Sequence, residues 1–119
     1  MEEDPKYDLE ERTFQFALQI RLCIARHKWT PDQWTDIKQV LRSSGSVAAI
    51  YTEANNAFSK ADFFHRIGIC KKESGESKLW LRLLGSTSTT TEAKSDLRIH
   101  FKEADELVRI FSKIHGSSQ

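Results

Sequence analysis

LRSSGSVAAIYTEANNAFSKADFFHRIGICKKESGESKLWLRLL, residues 41–84, is the stretch whose reading decides the fold. Within it Phe63, Ile67, Cys70, Ser74, Ser77, Leu81 and Leu84 recur in alternating steps of four and three. That spacing is the seam of a helix lying nearly antiparallel to a neighbour, at a crossing angle of about 20°. Ahead of the seam, Asn55, Asn56 and Ser59 mark a turn, and Ser59-Lys60-Ala61-Asp62 sets a capping serine three residues before an acid. Ser43-Ser44-Gly45-Ser46 is poor in helix propensity, Gly45 alone costing about 1 kcal/mol against alanine. The apolar spacing nevertheless runs through it in phase, so one helix is expected from Pro31 to about Asn56. With the turn centred near Phe58, Ser46 falls level with Cys70 and Arg42 level with Ser74. The small residues of both helices therefore meet.

Outward from this hairpin the chain supplies two more helices. Thr30-Pro31-Asp32-Gln33 carries a capping threonine, a proline at the first helical position and glutamine at the third, a capping box for helix two. The expected inner face of that helix is Trp34, Ile37, Leu41, Ser44, Val47 or Ala48, and Tyr51. Helix one is predicted from Asp8 to Lys28, with residues 1–7 as an acidic, frayed tail. Phe16, Ile20, Cys23 or Ile24, and His27 form one stripe along it, and Phe14, Leu18, Leu22 and Ala25 form a second. An apolar surface this wide exceeds one intramolecular seam: the helix is either a generously buried core helix of its own bundle or, the favoured reading, buried against another subunit. Gly85 is expected to end helix three before the polar loop Ser86–Thr91. Thr89-Thr90-Thr91-Glu92 reads as the capping box of helix four, whose stripe is Leu97, Phe101, Ala104, Leu107 or Val108, Phe111 and Ile114. Its five basic and five acidic residues between Glu92 and Lys113 read as a solvated face. Residues 116–119 form a flexible tail. The expected architecture is all-α, an antiparallel up-down-up-down four-helix bundle in a single domain spanning residues 1–119.

Composition agrees and excludes several classes. The 119 residues include two prolines and five glycines, 29% are charged, and the net charge is +1. No apolar run approaches the roughly 20 residues of a membrane span, and the acidic start lacks the apolar region of a secretory signal. Cys23 and Cys70 lie far apart in apolar contexts, as free thiols of a reducing cytoplasm do. Catalytic signatures are missing: no Gly-x-Ser-x-Gly, no phosphate-binding glycine loop, no His-Glu-x-x-His. A di-metal carboxylate bundle needs two Glu-x-x-His motifs, whereas Asp62-x-x-His65 is a single near miss. Cys23 and His27 lie one turn apart, but two ligands are fewer than the three or four of a metal site. The default there is a core cysteine beside a helix-terminal histidine, so no metal, cofactor or enzymatic activity is expected.

The quoted stretch resembles the four-helix-bundle proteins encoded in intervening sequences of bacterial 23S rRNA genes. LRSSGSVAAIYTEAN, SKADFFHRIGICKKESGES and KLWLRLL carry the likeness, with DLEERTFQFALQI and EADELVRIF extending it to the outer helices. The resemblance implies a left-handed bundle assembled as a ring, commonly a homopentamer, with no established enzymatic activity. It also implies kinship with the accessory protein of diversity-generating retroelements, a pentameric bundle that binds nucleic acid and a reverse transcriptase. Two positions depart from the family's habit: Ile50, often asparagine there, and Gly75, often arginine.

Two residue sets follow. Arg42, Ser43, Ser46, Glu53, Glu73 and Glu76 match the family's polar pattern along the hairpin; they read as a shared ligand or partner site or, the favoured reading, as contacts fixing helix register, with Arg42 paired to Glu73 or Glu76. For nucleic acid the candidates are Arg12, Arg21, Arg26 and Lys28 on helix one and Lys60, Arg66, Lys71, Lys72, Lys78 and Arg82 on helix three. Helix three nets +3, so a ring of five would gather about +15, and polyanion affinity rises steeply with the phosphates contacted. The expected function is a non-enzymatic, ring-forming scaffold with RNA or DNA as candidate ligand. The alternative is a protein-only adaptor, such as an accessory subunit of a reverse transcriptase.

Overall fold

Thr30, Ser59 and Thr90 place the starts of three helices. The Thr30 hydroxyl accepts from the Gln33 amide while the Gln33 side chain accepts from the Thr30 amide, a complete capping box. Ser59 accepts from the Asp62 amide at 3.0 Å and Thr90 from the Ala93 amide at 3.2 Å. The computed structural model describes residues 5–117, which form α1 (Pro5–Arg26), α2 (Pro31–Asn55), α3 (Lys60–Thr87) and α4 (Thr91–Gly116). α2 runs unbroken through Ser43–Ser46, as the phase of its apolar residues requires.

Five boundaries differ from the expectation, the first being the end of α1 at Arg26 rather than Lys28. α1 begins at Pro5, where proline at the first helical position sacrifices no intrahelical bond; residues 1–4 of the expected tail lie outside the described residues. α3 passes through Gly85 and ends two residues later. No glycine among the described residues has a positive φ, so Gly85 makes no left-handed cap. Ser88 ends the helix instead, its amide and hydroxyl both donating to the Leu84 carbonyl. The cap of α4 is Thr90 rather than Thr89, which puts Ala93 at the third helical position, where no side chain can complete a box. Of the expected C-terminal tail, Gly116 is helical, Ser117 is the cap, and residues 118–119 lie outside the described residues.

α3 packs along both α2 and α4, and α1 covers the remaining side, touching α2 more extensively than α4. The diagonal pairs make no close approach. Helices adjacent in sequence are thus adjacent in space, the pattern of an up-down-up-down bundle. The molecule measures 45 × 32 × 19 Å, so the cross-section is flattened. Its core takes Phe16 and Ile20 from α1, Ile37, Val40 and Val47 from α2, Ile67, Leu81 and Leu84 from α3, and Leu97, Leu107 and Phe111 from α4. The α3 heptad residues are buried from Ile67 onward, with Phe63 at the rim. The inner face of α2 is rotated from the expected one: Val40 and Ser43 point to the core, whereas Trp34 is 43% exposed and Leu41 half-buried. α2 divides its apolar surface between α3 and α1, and the sequence stripe averages the two directions. No described helix is long and apolar enough to cross a membrane.

Candidate functional site

The polar residues of the hairpin meet one another across the α2–α3 seam. Ser43 and Ser77, both fully buried, share a hydrogen bond of 2.7 Å. Cys70 donates from Sγ to the Val47 carbonyl at 3.8 Å. Arg42 reaches Glu73 at 3.0 Å with one nitrogen and Glu76 at 2.9 Å with another. Nearer the turn, Arg66 of α3 bonds Glu53 of α2 and, at 3.0 Å, Asp62 of its own helix. Ser46 is half-buried. These contacts run between α2 and α3 and tie the two helices together along the seam.

The basic residues divide by what they touch. Arg12 makes a two-point bond to Glu103, 2.8 Å at each nitrogen, with Glu106 at 3.4 Å. Arg21 donates to the Leu41 carbonyl at 3.0 Å and to Ser44 at 3.3 Å, tying α1 to α2. A Cβ on Gly45 would stand 3.1 Å from that guanidinium, so the glycine seats an arginine rather than a helix. Arg26 pairs with Asp96, and Lys78 bonds Asp105 at 2.8 Å with its ammonium 5.6 Å from the Phe101 ring centre. Five of the expected cations thus tie the bundle together. Lys28, Lys60, Lys71, Lys72 and Arg82 are exposed.

Arg82 lies in a groove of about 550 Å³ between α3 and α4. Lys94, Arg98 and Lys102 line its α4 side, with Leu81, Leu97 and Phe101 as its floor and no acid among the lining residues. Steps of four residues advance about 6 Å along a helix and stay on one face, so the three α4 cations form a row. The sequence carried this spacing, but the balanced charge count of helix four concealed it. Folding separates the signs: Asp105 turns to Lys78, Glu103 and Glu106 to Arg12, and Asp96 to Arg26. The basic row is left facing solvent.

Two further features lie on α1. Its second stripe faces outward, with Phe14 53% and Leu22 42% exposed, and Trp34 of α2 lies on the same side of the bundle, near Ala25. At the end of α1, Asp96 of α4 gathers His27 at 2.8 Å, Arg26 at 3.0 Å and His100 at 3.3 Å. Burial pushes the Asp96 carboxyl up, but hydrogen bonds from His27, Arg26 and Cys23 outweigh it and hold it at about 2. Burial lowers His100 against the opposing pull of Asp96, and burial, reinforced by Asp96, raises the Cys23 thiol to about 12. Nothing in the sequence announces that residues some 70 positions apart converge here.

An all-α up-down bundle with a basic groove, an outward apolar face and polar contacts across its α2–α3 seam places this chain among the helical-bundle proteins. The family model of the 23S rRNA-intervening sequence protein matches residues 6–113, and the chain belongs to that family. A crystal structure at 1.70 Å resolution, described as a protein of unknown function from the S23 ribosomal protein family of Bacteroides thetaiotaomicron VPI-5482, is similar at a TM-score of 0.72 with 27% sequence identity. The match covers 90% of this chain and 97% of that one. No curated protein matches the chain significantly.

Proposed function

We propose that this protein is a non-enzymatic, self-assembling scaffold that holds nucleic acid by its phosphate backbone in the α3–α4 groove. The observation behind the reading is the convergence of Arg82, Lys94, Arg98 and Lys102 on a groove with no acidic lining. Cations in a row neutralise successive phosphates and release their counterions, an attraction that needs no base recognition. Assembly is proposed through the outer face of α1 and α2, where Phe14, Leu22 and Trp34 are exposed. The homopentameric ring implied by the family resemblance would multiply the grooves and the charge they present.

The test is retention of RNA and of DNA at rising salt. Replacing Lys94, Arg98 and Lys102 with glutamate should abolish retention at low salt, whereas retention equal to that of the unaltered protein overturns the reading. Light scattering tests assembly: an oligomer is expected, dissociated by Phe14→Asp with Leu22→Asp, and a monomer in the unaltered protein overturns that part. A protein-only adaptor is the second reading. The observation favouring it is Phe58, wholly exposed at the α2–α3 turn, an anchor suited to an apolar pocket on a partner. A co-purifying protein lost in Phe58→Ser, with no retention of nucleic acid, would establish it.

A further inference from the structure

The group around Asp96 holds more chemistry than a helix latch requires. Cys23 lies near the C-terminal end of α1 and His27 just beyond it; Asp96 and His100 lie one turn apart on α4. The Cys23 sulfur, an Asp96 carboxylate oxygen and a His100 ring nitrogen all lie within 4.8 Å of one another. His27 Nε2 stands 2.8 Å from Asp96 Oδ2, and His100 Nε2 stands 3.3 Å from Oδ1. Cys23 and His100 are buried, while the Asp96 and His27 side chains retain 17% and 16% of their exposure. Among the described residues Cys23, Asp96 and His100 are the single group of three or more His, Cys, Asp or Glu that converges in this way; His27 stands outside it, beside Asp96.

We propose that Cys23, Asp96 and His100 form a site for a divalent transition-metal ion, zinc the best fit, with His27, beside Asp96, turning in as the fourth ligand. Thiolate, imidazole and carboxylate are the donors zinc takes, and four protein ligands are the complement of a closed, structural site. An aspartate facing Arg26 would suffice to latch α4 to α1; Cys23, His27 and His100 bring further donors around the same carboxylate, all three of them groups that metals take as ligands. Arg26 bonds both Asp96 oxygens at 3.1 Å, so metal binding would draw one oxygen from the guanidinium and leave it the other.

Binding would require an unprotonated nitrogen on each imidazole and loss of the Cys23 proton. Cys23 is a thiol in the metal-free protein, and a bound zinc ion would displace that proton to solvent and take the sulfur as thiolate. Such an ion would join α1 to α4, the adjacent pair with the least backbone contact. Cys70, the other buried cysteine, donates to a backbone carbonyl within the α2–α3 seam and serves as the internal control.

The experiment uses metal-free full-length protein titrated with cobalt(II), a spectroscopic stand-in for zinc, followed by displacement with zinc. One ion per chain is expected, with the strong visible absorption of tetrahedral cobalt and a near-ultraviolet thiolate-to-cobalt charge-transfer band. The charge-transfer band should vanish in Cys23→Ser and persist in Cys70→Ser. His27→Gln lies at the rim, where folding tolerates change, and should weaken binding at least about tenfold, as should His100→Gln. Zinc should also raise the melting temperature of the unaltered protein but not of His27→Gln. Absence of tetrahedral cobalt bands, a band that survives in folded Cys23→Ser, or histidine variants that bind as tightly as the unaltered protein would overturn the proposal.

Discussion

Ser43 on α2 and Ser77 on α3 hold each other by a 2.7 Å hydrogen bond in the solvent-free centre of the bundle. Each has a second acceptor in its own helix, Val40 at 3.4 Å for Ser43 and Glu73 at 3.0 Å for Ser77. Replacing either serine with alanine is therefore expected to cost about 1 kcal/mol, and replacing both should cost little more than one. Ser43→Leu, which forces a larger group into a packed seam, should cost about 1–3 kcal/mol through overpacking. Urea denaturation of the single, double and leucine variants measures all of these; strictly additive alanine costs would refute the shared bond.

Arg42 bonds both Glu73 and Glu76, but only Glu73 is buried, at 8% exposure. Arg42→Ala strands that carboxylate and should destabilise by about 1–3 kcal/mol. Glu76→Ala should cost less than 1 kcal/mol, because exposed pairs contribute little. Equal losses in the two variants would contradict the ranking.

Gly45, Gly75 and Gly85 all lie inside helices without positive φ. A Cβ on Gly75 or Gly85 meets nothing within 4 Å, so alanine at either should stabilise by about 1 kcal/mol from helix propensity. At Gly45 the new methyl would press on Arg21, and the gain should be smaller. Gly85→Ala is the sharpest of the three, since a helix-ending glycine would be harmed by alanine. A fall in melting temperature there would mean that α3 stops early.

The pH dependence has a defined sign. His100 and Asp96 both titrate lower in the folded protein than in the unfolded chain, so the unfolded chain binds protons first as pH falls. The His100 contribution is complete above an ordinary histidine value near 6.5 and is lost as pH falls through its lowered folded value. The Asp96 contribution, roughly 2 kcal/mol, is complete above 3.8 and fades as pH falls toward about 2. Denaturation midpoints between pH 8 and pH 3 should fall in two stages, the upper absent from His100→Gln and the lower reduced in Asp96→Asn. Parallel curves in all three proteins would exclude this assignment.

Much of the fold is legible in local spacing, and the exceptions have physical causes. The α3 seam, the unbroken α2 and the caps at Thr30 and Ser59 all rest on contacts within one turn or one heptad, which sequence records directly. Gly85 misled because glycine favours helix ends without requiring one, and Ser88 supplied a cap through its hydroxyl. The register contacts of Arg42 were readable because antiparallel pairing fixes which residues face each other. The basic row on α4 was present as Lys94, Arg98 and Lys102, yet five acids on the same helix hid it until Lys78, Arg12 and Arg26 drew acids aside. The convergence of Cys23 and His27 with Asp96 and His100 is tertiary, and no local pattern encodes it.

The seam between α1 and α4 is held by side chains at its two ends, Arg12 to Glu103 and the Asp96 group, more than by close backbone approach. With the α1–α4 seam the looser of its two, and Arg21 and the buried Phe16 and Ile20 holding it elsewhere, α1 is the helix whose release would leave the α2–α3–α4 meander in place. Amide hydrogens of α1 should then exchange with deuterium sooner than those of α3, through a partial opening well below the free energy of global unfolding. A helix that detaches in this way can also be traded between neighbouring copies, which makes the α1–α2 turn the hinge at which this bundle could swap segments.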